Sequence, residues 1–403
     1  METSLSRTAS DTPQAITGRA GALDSKEKQR LTWKPLPLEV QLWVEVSLLI
    51  AFGFIMIYSA SSIPALTRFS DPNHYLKRQL FCVALGMPII YMVSRASYRS
   101  YKKYCGPMLL GMIVLLSLVL IPGLGAKYNN ARRWFGMGGM HIQPAEYAKV
   151  VWVLFMSYAL VKKQDRIRES YVSFWPFIVL CGIFSALLLK QPDFGTTFMF
   201  VVLMIVMLAT AGVPCRYFFA MVPFAVIGVY KFVYLVPYRR TRWDAFLNPW
   251  LDPLYSGYQL IQAWIAVGSG GFFGKGLGAG QQKLLYLPES YTDFIFAVIG
   301  EELGFVGIVL TCVLFFLLFR TGLQISREAP DLLGSILALG LTMLLSLQAL
   351  LNMGVVLGLV PTKGMPLPFI SYGGSAFTAN CMTVGLLMSI ARSCEKRPDK
   401  YSG

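Results

Sequence analysis

Residues 305–319 and 332–356 pass without a single charged side chain, and apolar runs of comparable length recur along most of the chain. A bilayer core about 30 Å thick is crossed by roughly 20 apolar residues in a helix. In lipid the backbone has to satisfy its own hydrogen bonds, so such runs are read as transmembrane helices. Composition agrees: 55% of the 403 residues are hydrophobic and 14% are charged, against about 25% charged in an ordinary soluble domain. An all-buried soluble core would need far more polar surface than this chain carries. The fold class expected is therefore all-α integral membrane, with about ten spans placed near 41–61, 79–94, 106–123, 144–161, 171–189, 194–212, 217–236, 293–319, 332–356 and 373–391. The pair across 171–212 is separated only by Lys190, Gln191, Pro192 and Asp193, so it also reads as a hairpin that stops short of a full crossing.

Three domains are expected: a polar, disordered tail over 1–38, a polytopic membrane domain over 39–393 and a short tail over 394–403. No short apolar segment with a cleavage site follows the first tail, so it is not read as a signal peptide. Basic residues concentrate at 7–34, 95–103, 162–168 and 392–400, which ten spans place on one side. That side is assigned to the cytoplasm by the positive-inside rule, with both termini on it. The other side then carries 124–143, a large extracytoplasmic loop at about 237–292 between helices 7 and 8, and the Pro- and Gly-rich 357–372. Arg132, Arg133, Arg239, Arg240, Arg242, Lys275 and Lys283 fall there against the rule. Cations kept on that side suggest an anion to hold, although long loops also escape the rule.

The net charge of +15 is explained by anionic headgroups and membrane orientation. No basic groove with interleaved aromatics points to nucleic acid. The seven cysteines form no CxxC pair and the two histidines, His74 and His141, stand apart, so no disulfide framework and no metal site are expected.

Ionisable residues within or at the edge of a span are candidates for function, because lipid makes them costly. Glu146 and Lys149, three apart on one helix, can form an ion pair. Asp193 follows Pro192 at a helix start, where a capping role is the plain alternative. Glu301 and Glu302 project about 100° apart. Asp293 ends the long loop where the eighth span begins, so it reads either as a helix cap or as a partly desolvated carboxylate suited to general-base work. The glycine-dense segment 268–280 reads as tight turns whose amides can bind an anion. Residues 361–374 hold too many helix breakers for a span and are expected to wall a cleft.

Four stretches, in order, resemble the signatures of one family. They are Asn-Ala-Arg-Arg-Trp-Phe-Gly at 130–136 with Gln-Pro-Ala-Glu-Tyr-Ala-Lys at 143–149, Gln-Pro-Asp-Phe-Gly-Thr-Thr at 191–197, the segment 287–304 around Tyr-Thr-Asp-Phe, and 352–375. The chain from about 40 to 393 resembles the SEDS (shape, elongation, division and sporulation) membrane proteins. Where that family usually has His before Thr-Asp-Phe, this chain has Tyr291. The resemblance implies a peptidoglycan glycosyltransferase of the bacterial inner membrane that polymerises lipid II. The implied partners are a class B penicillin-binding protein of the FtsI-like kind and other divisome membrane proteins, at the division septum. Its essential loop aspartate falls on Asp293, read as the base. Arg132, Arg133, Lys149, Lys363 and Glu289 are candidates for holding substrate and pyrophosphate, with Glu146, Asp193 and Glu302 in supporting roles. No cofactor is required by this chemistry, though a divalent cation, Mg2+ or Mn2+, could assist. The alternatives are a lipid II flippase, an elongation-type polymerase and a membrane scaffold that recruits the penicillin-binding protein.

Overall fold

The computed structural model describes residues 36–128, 131–137, 140–164, 174–230 and 235–395. The expected tails before 36 and after 395, and Arg166 and Arg168 of one basic segment, lie outside the described residues. Each of the ten expected spans overlaps a helix: α1 Leu38–Phe69, α2 His74–Arg95, α3 Cys105–Leu118, α4 Pro144–Lys162, α5 Trp175–Lys190, α6 Phe194–Thr210, α7 Cys215–Val229, α10 Ile295–Glu328, α11 Leu332–Val356 and α12 Gly374–Glu395, while 231–234 of the seventh span lie outside the described residues. Five of them, α1, α2, α10, α11 and α12, are long and apolar enough to cross a membrane by length and composition. The hairpin partners α5 and α6 have 16 and 17 residues, so each is only ~24–26 Å long at 1.5 Å per residue.

Two features add detail to the expected architecture. The long loop is not structureless, since it contains α8 Pro237–Leu247, a 3-10 turn at Pro249–Leu251 and α9 Tyr258–Gly270. Helix α9 buries Leu260, Ile261, Ala263 and Ala266, a short stripe at helical spacing hidden among glycines and prolines. The helical fold also carries a small sheet. Residues 124–143 hold an antiparallel sheet of β1 Gly125–Tyr128, β2 Ala131–Met137 and β3 Met140–Ile142, with Phe135 opposite Gly125 and Ile142. The Ser375 hydroxyl pins the end of this sheet to α12, accepting from Gln143 N at 3.0 Å and donating to His141 O at 3.1 Å.

Burial sorts the helices. In α11 and α12, 67% and 72% of the apolar window is buried, against 17% in α2. The former pair forms the centre and α2 lies at the rim, with Leu80, Phe81, Leu85 and Met92 exposed. Helix α4 is buried nearly all round, as expected of a helix that is apolar on every face. Its Trp152 packs 5.5 Å from Phe184 of α5 and from Phe200 of α6, whose rings are 5.1 Å apart. Each such aromatic pair contributes about 0.5–1.5 kcal/mol beyond its buried area.

Helix α10 breaks at Gly304, where φ is 64° and ψ is −155°. The glycine-dense segment after α9 repairs the break. Lys275 N and Gly276 N donate to Glu301 O and Glu302 O, both at 3.0 Å, while Phe305 N and Val306 N donate to Gly271 O and Phe272 O at 2.9 and 3.2 Å. Of the amides expected to bind an anion, Gly278 N does so, joined by Gln281 N and Gln282 N just beyond the segment, and the anions are the protein's own carboxylates. Glu301 accepts from Gln281 N, Gln282 N and Lys275 Nζ at 2.8, 3.1 and 2.9 Å. Glu302 accepts from Gly278 N at 3.0 Å, Lys283 Nζ at 2.6 Å and Ser59 of α1 at 2.6 Å. At the end of the bundle away from the sheet, Asp331 caps α11 through Gly334 N at 2.7 Å and pairs with Arg99 at 2.7 Å, while Arg392 joins Glu39 and Ser94 O.

A Cβ at Gly304 would lie 2.3 Å from Gly274 N. Gly304→Ala is therefore expected to cost at least about 2 kcal/mol, the scale of a strained backbone, and to lower the thermal midpoint in detergent. Gly111→Ala, whose Cβ meets open space, should leave the midpoint unchanged or raise it.

Candidate active site

At the end of the bundle that carries the sheet, the α1–α2 turn, α4, the 289–294 segment and the 361–376 segment surround a cavity of about 1280 Å³. Six cations line it, Arg68, Lys77, Arg78, Arg133, Arg242 and Lys363, together with two acids, Glu289 and Asp293. A smaller pocket of about 80 Å³ adjoins it and shares Arg133, Arg242, Thr362, Lys363 and Gly364, adding Asp193 and Arg239. The excess of positive charge suits an anionic ligand, and low-dielectric walls strengthen that attraction.

Asp293 sits just before α10, half-buried in the cavity wall. It does not cap the helix, because the N-cap position belongs to Phe294. Its approach is a tight turn in which Glu289 takes a φ of 55°. Thr292 N and Phe294 N both donate to Glu289 O at 3.2 Å, and the Thr292 hydroxyl donates to the Glu289 carboxylate at 2.8 Å. The Asp293 carboxylate lies against Gly364, where a Cβ would come within 2.9 Å of Oδ2. Burial first, then the neighbouring Glu289, push the Asp293 carboxyl up to about 7, while Arg133 and Arg242 pull it down and Asp193 adds to the rise.

Lys363 lies with its ammonium 3.8 Å from the centre of the Phe198 ring and 5.6 Å from that of Phe194. Burial lowers its amine to about 8, and Asp193 partly offsets that. Asp193 itself caps α6, accepting from Thr196 N at 3.1 Å and from the Thr196 hydroxyl at 2.9 Å. Arg133 lines both cavities and is fixed by donating to Gln191 O at 2.8 Å and Pro192 O at 2.5 Å.

The remaining sequence candidates fall elsewhere. Arg132, the next residue along β2, lines neither cavity, since successive strand residues point to opposite faces. Lys149 and Glu146 form a buried pair at 2.8 Å inside the bundle, with Lys149 also donating to Gln348 at 2.9 Å. Glu302 belongs to the repaired break in α10. Sequence reading passed over Arg68, Lys77 and Arg78, although they flank the short α1–α2 turn on the side where cations are unexpected. It also passed over the cluster of Tyr75, Tyr291 and Tyr372, with the Tyr291 hydroxyl donating to Tyr75 at 3.0 Å and ring centres 4.5–6.0 Å apart. Tyr291, the departure from the family pattern, is thus held by a second tyrosine, and burial drives its hydroxyl far above the ordinary range. Among the described residues no group of three or more His, Cys, Asp or Glu is arranged to hold a metal ion. Glu289 and Asp293 would be the protein's carboxylates for one, and a Mg2+ ion commonly takes one or two plus phosphate oxygens.

The raised Asp293 pKa has a stability consequence. An unfolded aspartate ionises near 3.9, so between that value and about 7 the folded protein holds a proton that the unfolded chain has released. Stability from this group therefore falls as pH rises through that window. Asp293→Asn should raise the thermal midpoint by an amount that grows from about pH 5 to about pH 7 and then levels off. A gain that does not vary with pH would show that the carboxylate is not desolvated.

A comparison of sequence and structure with known proteins gives a consistent result. Residues 39–396 match the family model described as "Cell cycle protein", covering FtsW, RodA and SpoVE. A relative from Geobacter metallireducens, named probable peptidoglycan glycosyltransferase FtsW, is 43% identical over 350 residues, covering 87% of this chain and 93% of the relative. Stage V sporulation protein E of Bacillus subtilis is 41% identical over 367 residues, covering 90% and 99%. Among solved structures, a chain from work on structural coordination of polymerization and crosslinking by a peptidoglycan synthase complex aligns with TM-score 0.73 and 29% identity, over 88% of this chain and 98% of that one. The rod shape determining protein RodA of Thermus thermophilus aligns with TM-score 0.64 and 28% identity, over 87% and 95%.

Proposed function

The chain belongs to the cell cycle protein family of FtsW, RodA and SpoVE, and from that premise we propose that it is a peptidoglycan glycosyltransferase that polymerises lipid II for the division septum. One observation carries the mechanism: a carboxylate poised near neutrality stands in the wall of a large cavity lined by six cations. The acceptor sugar hydroxyl attacks the anomeric carbon of a second lipid-linked disaccharide. A carbon–oxygen bond to the acceptor forms, the bond to the diphosphate breaks, and the hydroxyl proton passes to Asp293. General-base help of this kind contributes about 100- to 10,000-fold. The leaving lipid diphosphate needs no protonation by an acid, unlike the leaving group of a glycosidase, and Arg133, Arg242 and Lys363 would balance its charge. Glu289 keeps the carboxylate basic. No step calls on a divalent ion.

The cavity end of the bundle is assigned to the extracytoplasmic side, which places both termini in the cytoplasm, where the basic tail segments belong. The proposed partner is a class B penicillin-binding protein that crosslinks the product, in keeping with the synthase complex that the fold resembles. Other divisome proteins would act around that pair. The division role is supported by relatives named probable peptidoglycan glycosyltransferase FtsW, which align at 43% identity. A flippase would need a polar path through the bilayer, yet Glu146, Lys149 and Glu302 are each engaged by local partners.

The test is glycan synthesis from purified lipid II by the full chain with its partner, resolved on gels. Wild type should polymerise with a bell-shaped pH dependence that rises through about 7 with Asp293 and falls past about 8 with Lys363. Asp293→Ala should lose at least about 100-fold. Unimpaired synthesis by that variant would remove Asp293 as the base, and lipid II translocation into liposomes without polymer would favour the flippase.

A further inference from the structure

The Asp293 segment and the Lys363 segment are far apart in sequence, and each is an irregular stretch of backbone. Two side-chain amides on α11, one turn apart, hold them together. Asn352 is 2% exposed and Gln348 is fully buried. Asn352 Nδ2 donates to Asp293 O at 2.8 Å and to Met365 O at 2.7 Å. Gln348 Nε2 donates to Pro366 O at 3.0 Å. An amide can do this only if its nitrogen faces the carbonyls. For Gln348 the orientation is imposed from the other side, where Lys149 Nζ donates to Oε1 at 2.9 Å and is itself paired with Glu146 at 2.8 Å.

Asn352 Oδ1 is buried and has no hydrogen-bond partner among the described residues. A buried unsatisfied acceptor costs about 1–3 kcal/mol, so a side chain packed for stability alone would not be placed this way. Both acceptors of its amine are carbonyls of irregular backbone, and one of them is that of Asp293 itself. Next to the anchored Met365 is Gly364, the residue against which the Asp293 carboxylate rests. A second tie, Tyr372 N donating to Tyr291 O at 3.0 Å, closes the far end of the same loop.

We propose that Asn352 and Gln348 are positioning residues that hold the Asp293 carboxylate and the Lys363 ammonium at a fixed separation across the cavity, with the Glu146–Lys149 pair acting through Gln348. This rests on the reading of Asp293 as base. Neither amide lines the cavity, so their loss acts on turnover rather than on binding. Displacement of a reacting group by about 1 Å can cost 10²-fold. Lys149 and Glu146 then need no contact with a diphosphate, since their work is to present the correct face of Gln348 to Pro366.

The experiment uses the full chain with its penicillin-binding partner and purified lipid II. Asn352→Asp and Gln348→Glu are near-isosteric and turn each donating nitrogen into an oxygen that faces a carbonyl. Asn352→Asp should lower kcat about 30-fold and Gln348→Glu about 10-fold, with KM within about threefold. The ascending limb of the pH profile should shift in Asn352→Asp, a change that a loss of folded protein alone would not produce. Wild-type kcat, or a loss carried by KM with kcat unchanged, overturns the proposal. Should Asn352→Asp fail to purify as folded protein, Gln348→Glu decides by the same readouts, and wild-type kcat there overturns it. Asp293→Asn is measured in parallel. If that variant polymerises normally, the base reading falls and this proposal with it. If it is silent while both amide variants turn over normally, the base reading stands and the positioning role alone is lost.

Discussion

A peptide group that leaves the helical path inside a bilayer has no water to turn to, so its hydrogen bonds must be found within the protein. At Gly304 the chain meets this constraint openly. The break frees the carbonyls of Glu301 and Glu302 and the amides of Phe305 and Val306, and the segment 271–276 supplies a partner for each of the four. The glycines of that segment follow from the contact. Gly274 takes a φ of 80°, and its backbone lies so close to Gly304 that a side chain on either would collide. Because the segment is bonded to the middle of α10, the loop that follows it, ending at Asp293, starts from a fixed point rather than from a free hairpin.

The same constraint explains what the buried charges do. Charged groups deep in a bundle are retained only when paired and hydrogen-bonded, and the buried charges of α4 and α10 are answered close by. Glu301 and Glu302 draw Lys275 and Lys283 downward from the loop, and Ser59 of α1 joins Glu302. Breaking such a pair leaves a charge uncompensated, which costs about 3–5 kcal/mol. The pair Glu146 and Lys149 is satisfied in the same manner, with one proton of the lysine left to orient Gln348. The cavity differs in that, among the described residues, six cations and two acids line one open volume. That imbalance marks the cavity as a place for a ligand and the other clusters as parts of the scaffold.

The apolar runs were legible because the bilayer sets a length that a sequence can be measured against, and each run overlaps a helix, five of them long and apolar enough to cross. Asp293 was legible for a related reason, as an acid at the mouth of a span. The small sheet was not. Its strands are short, and Arg132, Arg133 and Trp134 alternate without an apolar face that would announce a strand. Helix α9 was hidden by the glycines and prolines around it. The contacts of Lys149 and Asn352 could not be seen at all, because Gln348 and the carbonyls of Asp293 and Met365 lie in other segments of the chain. Charge type and position identify who is costly to bury. They do not say which remote backbone atom makes the burial tolerable.

The chemistry of Asp293 emerges from a balance that this scaffold maintains. Burial and Glu289 favour its protonated form, whereas Arg133 and Arg242 favour the carboxylate, and the outcome is about 7. Move the carboxylate toward the arginines and it becomes a weaker base that is always ionised. Move it inward and it stays protonated and accepts nothing. A base near the working pH combines a large ionised fraction with useful proton affinity, so position and basicity are one property here. Arg133 is pinned by two carbonyls of the α5–α6 turn, the Asp293 backbone is pinned by Asn352, and the carboxylate is stopped by Gly364. Each of these restraints comes from a different part of the chain, and the site exists only where they converge.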